Sequence, residues 1–270
     1  MMRKHLIPGS VAAFLAATGL ASAQQQPVPV DTASVQSDGF SLTTGADYST
    51  GKYGGTSSTD ILYVPLTGAY EMDKWLFKVT VPYIMITGPG NVVRGVGRIK
   101  NKAAGPRTTQ SGLGDVVAGV TRNLIDVTSS GTLVDLTGKI KFGTADAGKA
   151  LGTGENDYGA QIDLTQRVTA ALSAFGTFGY KIIGSPSGAQ LSNVFYGEAG
   201  AAVKLSEGSR LGAIFHASQA PSPVSGPERD VTAYLTQQLS ERWKLQIYGD
   251  HGFANGSPDW GGGAMASFRF

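Results

Sequence analysis

From residue 38 to the C-terminus, apolar residues alternate with small or polar ones at a period of two, and no stretch sustains a 3.6-residue period. Twelve such segments stand out: Phe40 to Tyr48, Asp60 to Met72, Trp75 to Ile86, Gly112 to Leu124, Thr132 to Thr144, Asp157 to Val168, Ala171 to Ile183, Asn193 to Leu205, Arg210 to Ser218, Asp230 to Leu239, Trp243 to Ala254 and Trp260 to Phe270. Their connections fall into two kinds. Asp73-Lys74, Thr169-Ala170, Ser206 to Ser209 and Ser240 to Arg242 are tight, whereas Ser49 to Thr59, Thr87 to Ser111, Ala145 to Asn156 and Ala220 to Arg229 are long and rich in Gly, Pro and Ser. Short turns on one rim, long loops on the other and an even strand number predict an all-β fold, a 12-stranded antiparallel transmembrane β-barrel of the outer membrane over residues 38–270.

The distribution of charge tests this pattern. Assigning the more apolar parity of each segment to lipid sends Phe40, Leu42, Ala46 and Tyr48 outward in the first strand, and Trp75, Phe77, Val79, Val81 and Tyr83 in the third. In the last strand, Trp260, Gly262, Ala264, Ala266, Phe268 and Phe270 take the same side. The opposite parity gathers Asp47, Glu71, Lys78, Asp115, Asp135, Lys139, Lys141, Asp163, Arg167, Lys181, Glu198, Lys204, Arg210, Asp230, Lys244, Asp250 and Arg269, while only Arg122, near a strand end, faces lipid. A soluble sandwich would place these charges on its exposed face instead. Tyr48, Trp75, Tyr83, Trp243, Trp260 and Phe270 lie where interfacial aromatic girdles are expected.

Composition narrows the class further. Glycine makes up 38 of 270 residues, about twice the usual ~7%, charged residues are 16%, and Cys is absent. These values exclude a disulfide scaffold, a Cys-ligated metal protein and a thiol enzyme. No apolar run outside the N-terminus approaches the ~20 residues of a membrane helix. At the start, Arg3, Lys4 and His5 precede an apolar stretch from Val11 to Leu20 and an A-x-A site at Ala21-Ser22-Ala23. Residues 1–23 therefore read as a signal peptide, cleaved near Ala23, and residues 24–37 as a periplasmic tail. Removing Arg3 and Lys4 takes the formal charge from +2 to zero, which gives no reason to expect nucleic acid as a partner.

Several strings also carry a family likeness: ILYVPL from Ile61, KVTVPY from Lys78, SGLGD from Ser111, KIKFGTAD from Lys139, LGTGENDY from Leu151 and SPDWGGG from Ser257. In these, the chain resembles the outer-membrane barrels described as transporter-like proteins of the MetA pathway of phenol degradation. Phe142-Gly143 departs from the pattern, where a Pro is expected after the Lys-rich strand. The resemblance implies passage of small molecules, aromatic ones among them, across the outer membrane of a Gram-negative bacterium.

Twelve strands lie between barrels filled by side chains and wide aqueous pores. Bulky Tyr63, Phe175, Tyr196, Ile214, Tyr234 and Tyr248 on the lumen parity predict a narrow conduit, with Lys78, Lys139, Lys141, Asp163, Arg167 and Glu198 as selectivity candidates. The long connection Thr87 to Ser111 carries Arg94, Arg98, Lys100, Lys102 and Arg107 and no acid. It is expected to fold inward as a constriction, to grip lipopolysaccharide phosphates, or to remain a solvated loop. Expected partners are outer-membrane lipid and lipopolysaccharide, the barrel-assembly machinery, which would read the terminal Phe270, and a small-molecule solute.

Two further chemistries find some of their residues in the chain. Asp146, Glu155, Asn156 and Asp157 offer oxygen ligands but lack the regular spacing of a calcium loop. His216 and Ser218 share a strand face, as in outer-membrane lipid hydrolases, but parity points both into the lumen, and Glu228 completes a triad only if its loop folds back. The sequence thus favours a non-enzymatic channel without cofactor or metal. A closed structural or surface-binding barrel and a lipid hydrolase using His216 and Ser218 remain as alternatives.

Overall fold

The computed structural model describes residues 38–99, 104–127 and 129–270, together with the backbone of two short segments, Ala12–Phe14 and Val30–Thr32, which pair antiparallel. The signal-peptide cleavage site, most of the expected periplasmic tail, Lys100 and Lys102 lie outside the described residues. Twelve barrel strands follow in chain order: β1 Gly39–Gly51, β2 Thr59–Met72, β3 Trp75–Gly88, β4 in two pieces Thr108–Leu113 and Val116–Val127, β5 Thr132–Phe142, β6 Asp157–Arg167, β7 Leu172–Ile182, β8 Val194–Lys204, β9 Ser209–Ser218, β10 Glu228–Gln238, β11 Trp243–Gly252 and β12 Trp260–Arg269. Each pairs antiparallel with its chain neighbours, and β12 closes on β1 through a register running from Trp260↔Thr50 to Arg269↔Ser41. Closure leaves no free edge, so every strand has a hydrogen-bonding partner on both sides.

The alternation predicted from sequence is realised as two faces. Phe40, Val79, Leu164 and Phe178 point outward, and Asp47, Lys139, Asp163 and Asp230 inward. Arg122 lies outside, its guanidinium 4.7 Å from the ring centroid of its register partner Trp75, at the rim where lipid-face charge costs little. Short turns join the strands at the rim that carries the N-terminal end of β1. The two-residue turn Asp73-Lys74 is typical: Asp73 takes a left-handed φ of 51°, and its N–H donates to Asp38 Oδ1 at 3.0 Å.

The fourth strand departs from expectation. It starts at Thr108 rather than Gly112 and breaks at Gly114–Asp115, where the lumen parity switches from Gly112, opposite Ile84, to Gly119, opposite Lys78. The cause sits on the neighbouring strand. Pro82 has no N–H to continue the ladder, and Gly114 presses against its ring and Ile84 so closely that a Cβ would lie 2.9 Å from Pro82 Cγ. The extra residue is absorbed as a bulge, which aims Asp115 inward. Glu228 is a second correction. Expected in a loop, it is instead the first residue of β10, paired with Ser218.

Candidate functional site

The lumen is the site, and one layer of it is aromatic. Ile214 and Tyr234 are buried against Phe175, Ala202 and Tyr248. Each of these aromatics finds room by lying across a glycine in register on the next strand: Tyr234 on Gly212, Phe175 on Gly200 and Tyr248 on Gly263, with Tyr196 on Gly179 beside them. A bare glycine accepts a ring flat against the wall, which leaves the axis less obstructed than an inward-pointing ring would.

On the wall from β3 to β7, lysines alternate with carboxylates. Lys141 Nζ lies 3.1 Å from both Asp115 Oδ2 and Asp157 Oδ2. Lys139 Nζ donates to Gln161 Oε1 at 2.6 Å, Gln161 Nε2 donates to Asp163 Oδ1 at 2.7 Å, and Thr177 Oγ1 donates to the same oxygen at 2.7 Å. Tyr196 O–H joins this network by donating to Gln161 Oε1 at 2.7 Å. Lys78 is half-buried on the same side, toward the short-turn rim. Arg167 instead lies at that rim, its side chain against Gly131.

From β8 round to β1 the wall is acidic. Glu198, Glu228, Asp230, Asp250 and Asp47 line its long-loop half, and His216 sits between Glu198 Oε1, 3.2 Å from Nδ1, and Glu228 Oε2, 3.7 Å from Nε2. Ser218 Oγ donates to Gln219 O at 3.2 Å, so His216 and Ser218 are not joined as a nucleophile and base. The oxygen-rich loop is likewise committed elsewhere: Asp157 to Lys141, Asp146 Oδ1 to the Lys149 N–H, and Asn156 Oδ1 to the Gly143 N–H. Among the described residues no group of His, Asp and Glu has metal-binding geometry.

The long loop after β3 folds inward. Val92–Val93 and Gly97–Arg98 pair as a small hairpin that buries Val93, Val96 and Ile99 against Ala150 and Ala189, and Val92 against Tyr53, Ile61, Tyr63 and Leu151. Polar contacts hold it from two sides, Lys181 Nζ donating to Gly95 O at 3.3 Å and Ser222 Oγ to Arg98 O at 3.3 Å. The five expected bases separate. Arg94 enters the lumen with its guanidinium 3.7 Å from the Tyr63 ring centroid, Arg98 is half-buried in the plug, and Arg107 pairs with Asp60 on the outer rim. Four interspersed aliphatics were the signal in the sequence, since a solvated loop has no use for them.

Charge also separates along the axis, which parity alone did not reveal. Arg167, Lys204, Arg210, Lys244 and Arg269 stand at the short-turn ends of their strands, where Arg269 Nη2 lies 3.5 Å from Glu71 Oε2 and Lys204 Nζ 2.7 Å from Glu207 Oε1. At the other end carboxylates outnumber bases: Asp47, Asp157, Glu228, Asp230 and Asp250 stand there with Lys141, Lys181 and Arg94.

No family model and no curated protein sequence matches the chain. Solved structures do. An outer-membrane channel from Pseudomonas putida F1 superposes with a TM-score of 0.67 at 9% identity, over 88% of this chain and 97% of that one. The NanC porin gives 0.52 at 13% identity over 84% and 98%, and the KdgM porin 0.50 at 8% over 85% and 99%. At such identities the shared property is the fold, an outer-membrane β-barrel of this size.

Proposed function

We propose that this protein is an outer-membrane channel of a Gram-negative bacterium that passes small molecules by diffusion through a narrow, charged lumen. The observation that carries the reading is the inversion of a soluble protein's surface: charges line the inside of a closed barrel while apolar side chains cover the outside. A polar lumen of this kind supports water and solute, since a sealed core would have no use for so many ionised side chains. The resemblance to the MetA-type barrels extends the reading to aromatic solutes, which suit the Phe175, Tyr234 and Tyr248 layer. With it go a signal peptide cleaved near Ala23, a periplasmic tail over residues 24–37, contact with lipid and lipopolysaccharide, and delivery by the barrel-assembly machinery. Channels need no catalytic groups, and the separation of His216 from Ser218 supports a non-enzymatic role.

A second reading, a closed structural barrel, is favoured by the packed hairpin around Val93, Val96 and Ile99. Planar-bilayer recording of refolded protein separates the two. Discrete conductance steps that disappear on heat denaturation are expected of a channel. A silent but correctly folded barrel would establish the closed reading instead.

A further inference from the structure

The cation that the plug inserts into the lumen occupies a receptor whose parts come from distant strands. Tyr63 on β2 supplies a buried ring face under Arg94. Its register partner on β1 is Asp47, which accepts the Tyr248 O–H on Oδ2 at 2.7 Å and has no partner for its other oxygen. On the far side stands Asp250 of β11, whose Oδ2 is also buried and unpartnered, next to Thr232 with a buried, unpartnered hydroxyl. The two carboxylates lie within electrostatic reach of each other across β12, which offers only hydrogen there: Gly261 lies under the Asp250 carboxylate, and Gly263 under the Tyr248 hydroxyl that reaches Asp47. A side chain at either position would fill the gap.

A further tyrosine completes the enclosure. Tyr53, in the loop after β1, is buried and donates to Ser49 Oγ at 3.2 Å, and burial pushes its pKa up, which keeps the phenol neutral. Arg94, Asp47 and Asp250 all lie within electrostatic reach of Tyr53 and Tyr248. Aromatic faces with carboxylates at their edge are the chemistry that recognises a flat or compact organic cation bearing N–H donors. Spare acceptors, on Asp47, Asp250 and Thr232, exceed what the one guanidinium present satisfies, and leaving them unpaired is costly.

We propose that this enclosure is a binding site for a small organic cation, an amidinium, guanidinium or primary ammonium group, and that Arg94 of the plug is its built-in occupant, so that a cationic solute and the plug compete for one site. The inference rests on the channel reading, deepening it to a solute class and coupling solute arrival to plug release. A solute group that takes the Tyr63 face removes the cation–π contact that adds to the packing of Val92 in holding the hairpin to the wall opposite Lys181. No bond is made or broken, and the exchange is one cation for another.

Calorimetric titration of the detergent-solubilised barrel with methylguanidinium chloride at constant ionic strength tests this without requiring conduction. Arg94→Ala, and Arg94→Met as a variant that keeps the apolar stem, should bind at least tenfold more tightly than the wild type, because the internal competitor is gone. Adding Asp47→Asn and Asp250→Asn to Arg94→Met should abolish the gain, with heat-modifiable gel mobility verifying that each barrel is folded. Equal affinity of the wild type and both Arg94 variants, or unchanged affinity after the two Asn substitutions, would overturn the proposal. Uptake of a neutral sugar into proteoliposomes, measured in parallel, reports on the channel reading alone: flux without cation binding retains the channel and removes the receptor.

Discussion

Tyr234 on β10 lies flat against Gly212, its register partner on β9, with no space between ring and backbone for a methyl group. Replacing Gly212 with Ala must therefore drive the ring off the wall or push the strands apart. Overpacking of this kind costs about 1–3 kcal/mol. The control is Gly138→Ala on the lipid-facing side of β5, where a new Cβ would meet only Val120 Cγ1 at 4.0 Å. Urea unfolding of the refolded barrel in lipid vesicles should lower the midpoint for Gly212→Ala and leave Gly138→Ala close to the wild type.

Lys141 is enclosed by two carboxylates, and its removal should be among the most damaging single changes in the lumen. Lys141→Met leaves Asp115 and Asp157 buried without their cation, for which about 3–5 kcal/mol is the expected loss. Asp115 also accepts the Ala145 N–H at 2.9 Å, so the adjoining loop should loosen as well. Adding Asp115→Asn and Asp157→Asn removes the uncompensated charge and should restore most of the stability in the same unfolding assay. A triple variant no more stable than Lys141→Met would show that Lys141 acts through packing and not through its charge.

The two faces of β3 should respond oppositely to charge. Val79→Arg puts a guanidinium into lipid near the middle of the strand, at a cost of about 2–4 kcal/mol, whereas Lys78→Gln, one residue away and inside, should cost much less. Parallel unfolding titrations check this, and equal losses would contradict the assignment of faces.

Which parts of this architecture could be read from the chain follows from the range of the interactions that determine them. Strand positions and faces depend on local alternation, and the end points of β5, β6 and β12 agree with the predicted segments within two residues. The break in β4 is set by Pro82 on another strand and therefore leaves no mark in its own sequence beyond Gly114. Lys139 is linked to Asp163 through Gln161, and Lys141 to Asp157, as expected of a shared lumen face, since β5 and β6 are consecutive. Asp47 and Tyr248 meet only because the barrel closes through β12, joining residues 201 positions apart. The inward path of Arg94 depends likewise on pairing Val92 and Val93 with walls formed elsewhere.

Phe270 secures the closing seam. Its N–H donates to Phe40 O at 3.0 Å, and its ring lies 5.3 Å from that of Phe40 and 5.0 Å from that of Phe268. Deleting Phe270 removes the last hydrogen bond between the C-terminus and β1 together with an aromatic cluster at the rim. The fraction of chain reaching the heat-modifiable, folded form in outer-membrane preparations should fall, and Phe270→Trp should recover it. Normal assembly of the truncated chain would remove Phe270 from any role in insertion.

The axial separation of charge should be visible in the current itself. Arg210, Lys244 and Arg269 raise the potential at the short-turn mouth, and Asp230, Asp250 and Asp47 lower it toward the loops, so a cation and an anion meet opposite barriers depending on the side from which they enter. A lumen with this gradient should pass more current at one polarity than the other, most strongly at low salt, where the Debye length spans the pore. Replacing Arg210 and Lys244 together by Gln flattens the basic end and should reduce the ratio of currents at equal and opposite voltages toward unity. Neutralising Arg94 acts in the acidic half instead and should shift the reversal potential in a salt gradient toward cations. A wild-type current that is symmetric with voltage at low salt would mean that the charged side chains are too fully compensated by their neighbours to shape the field along the pore.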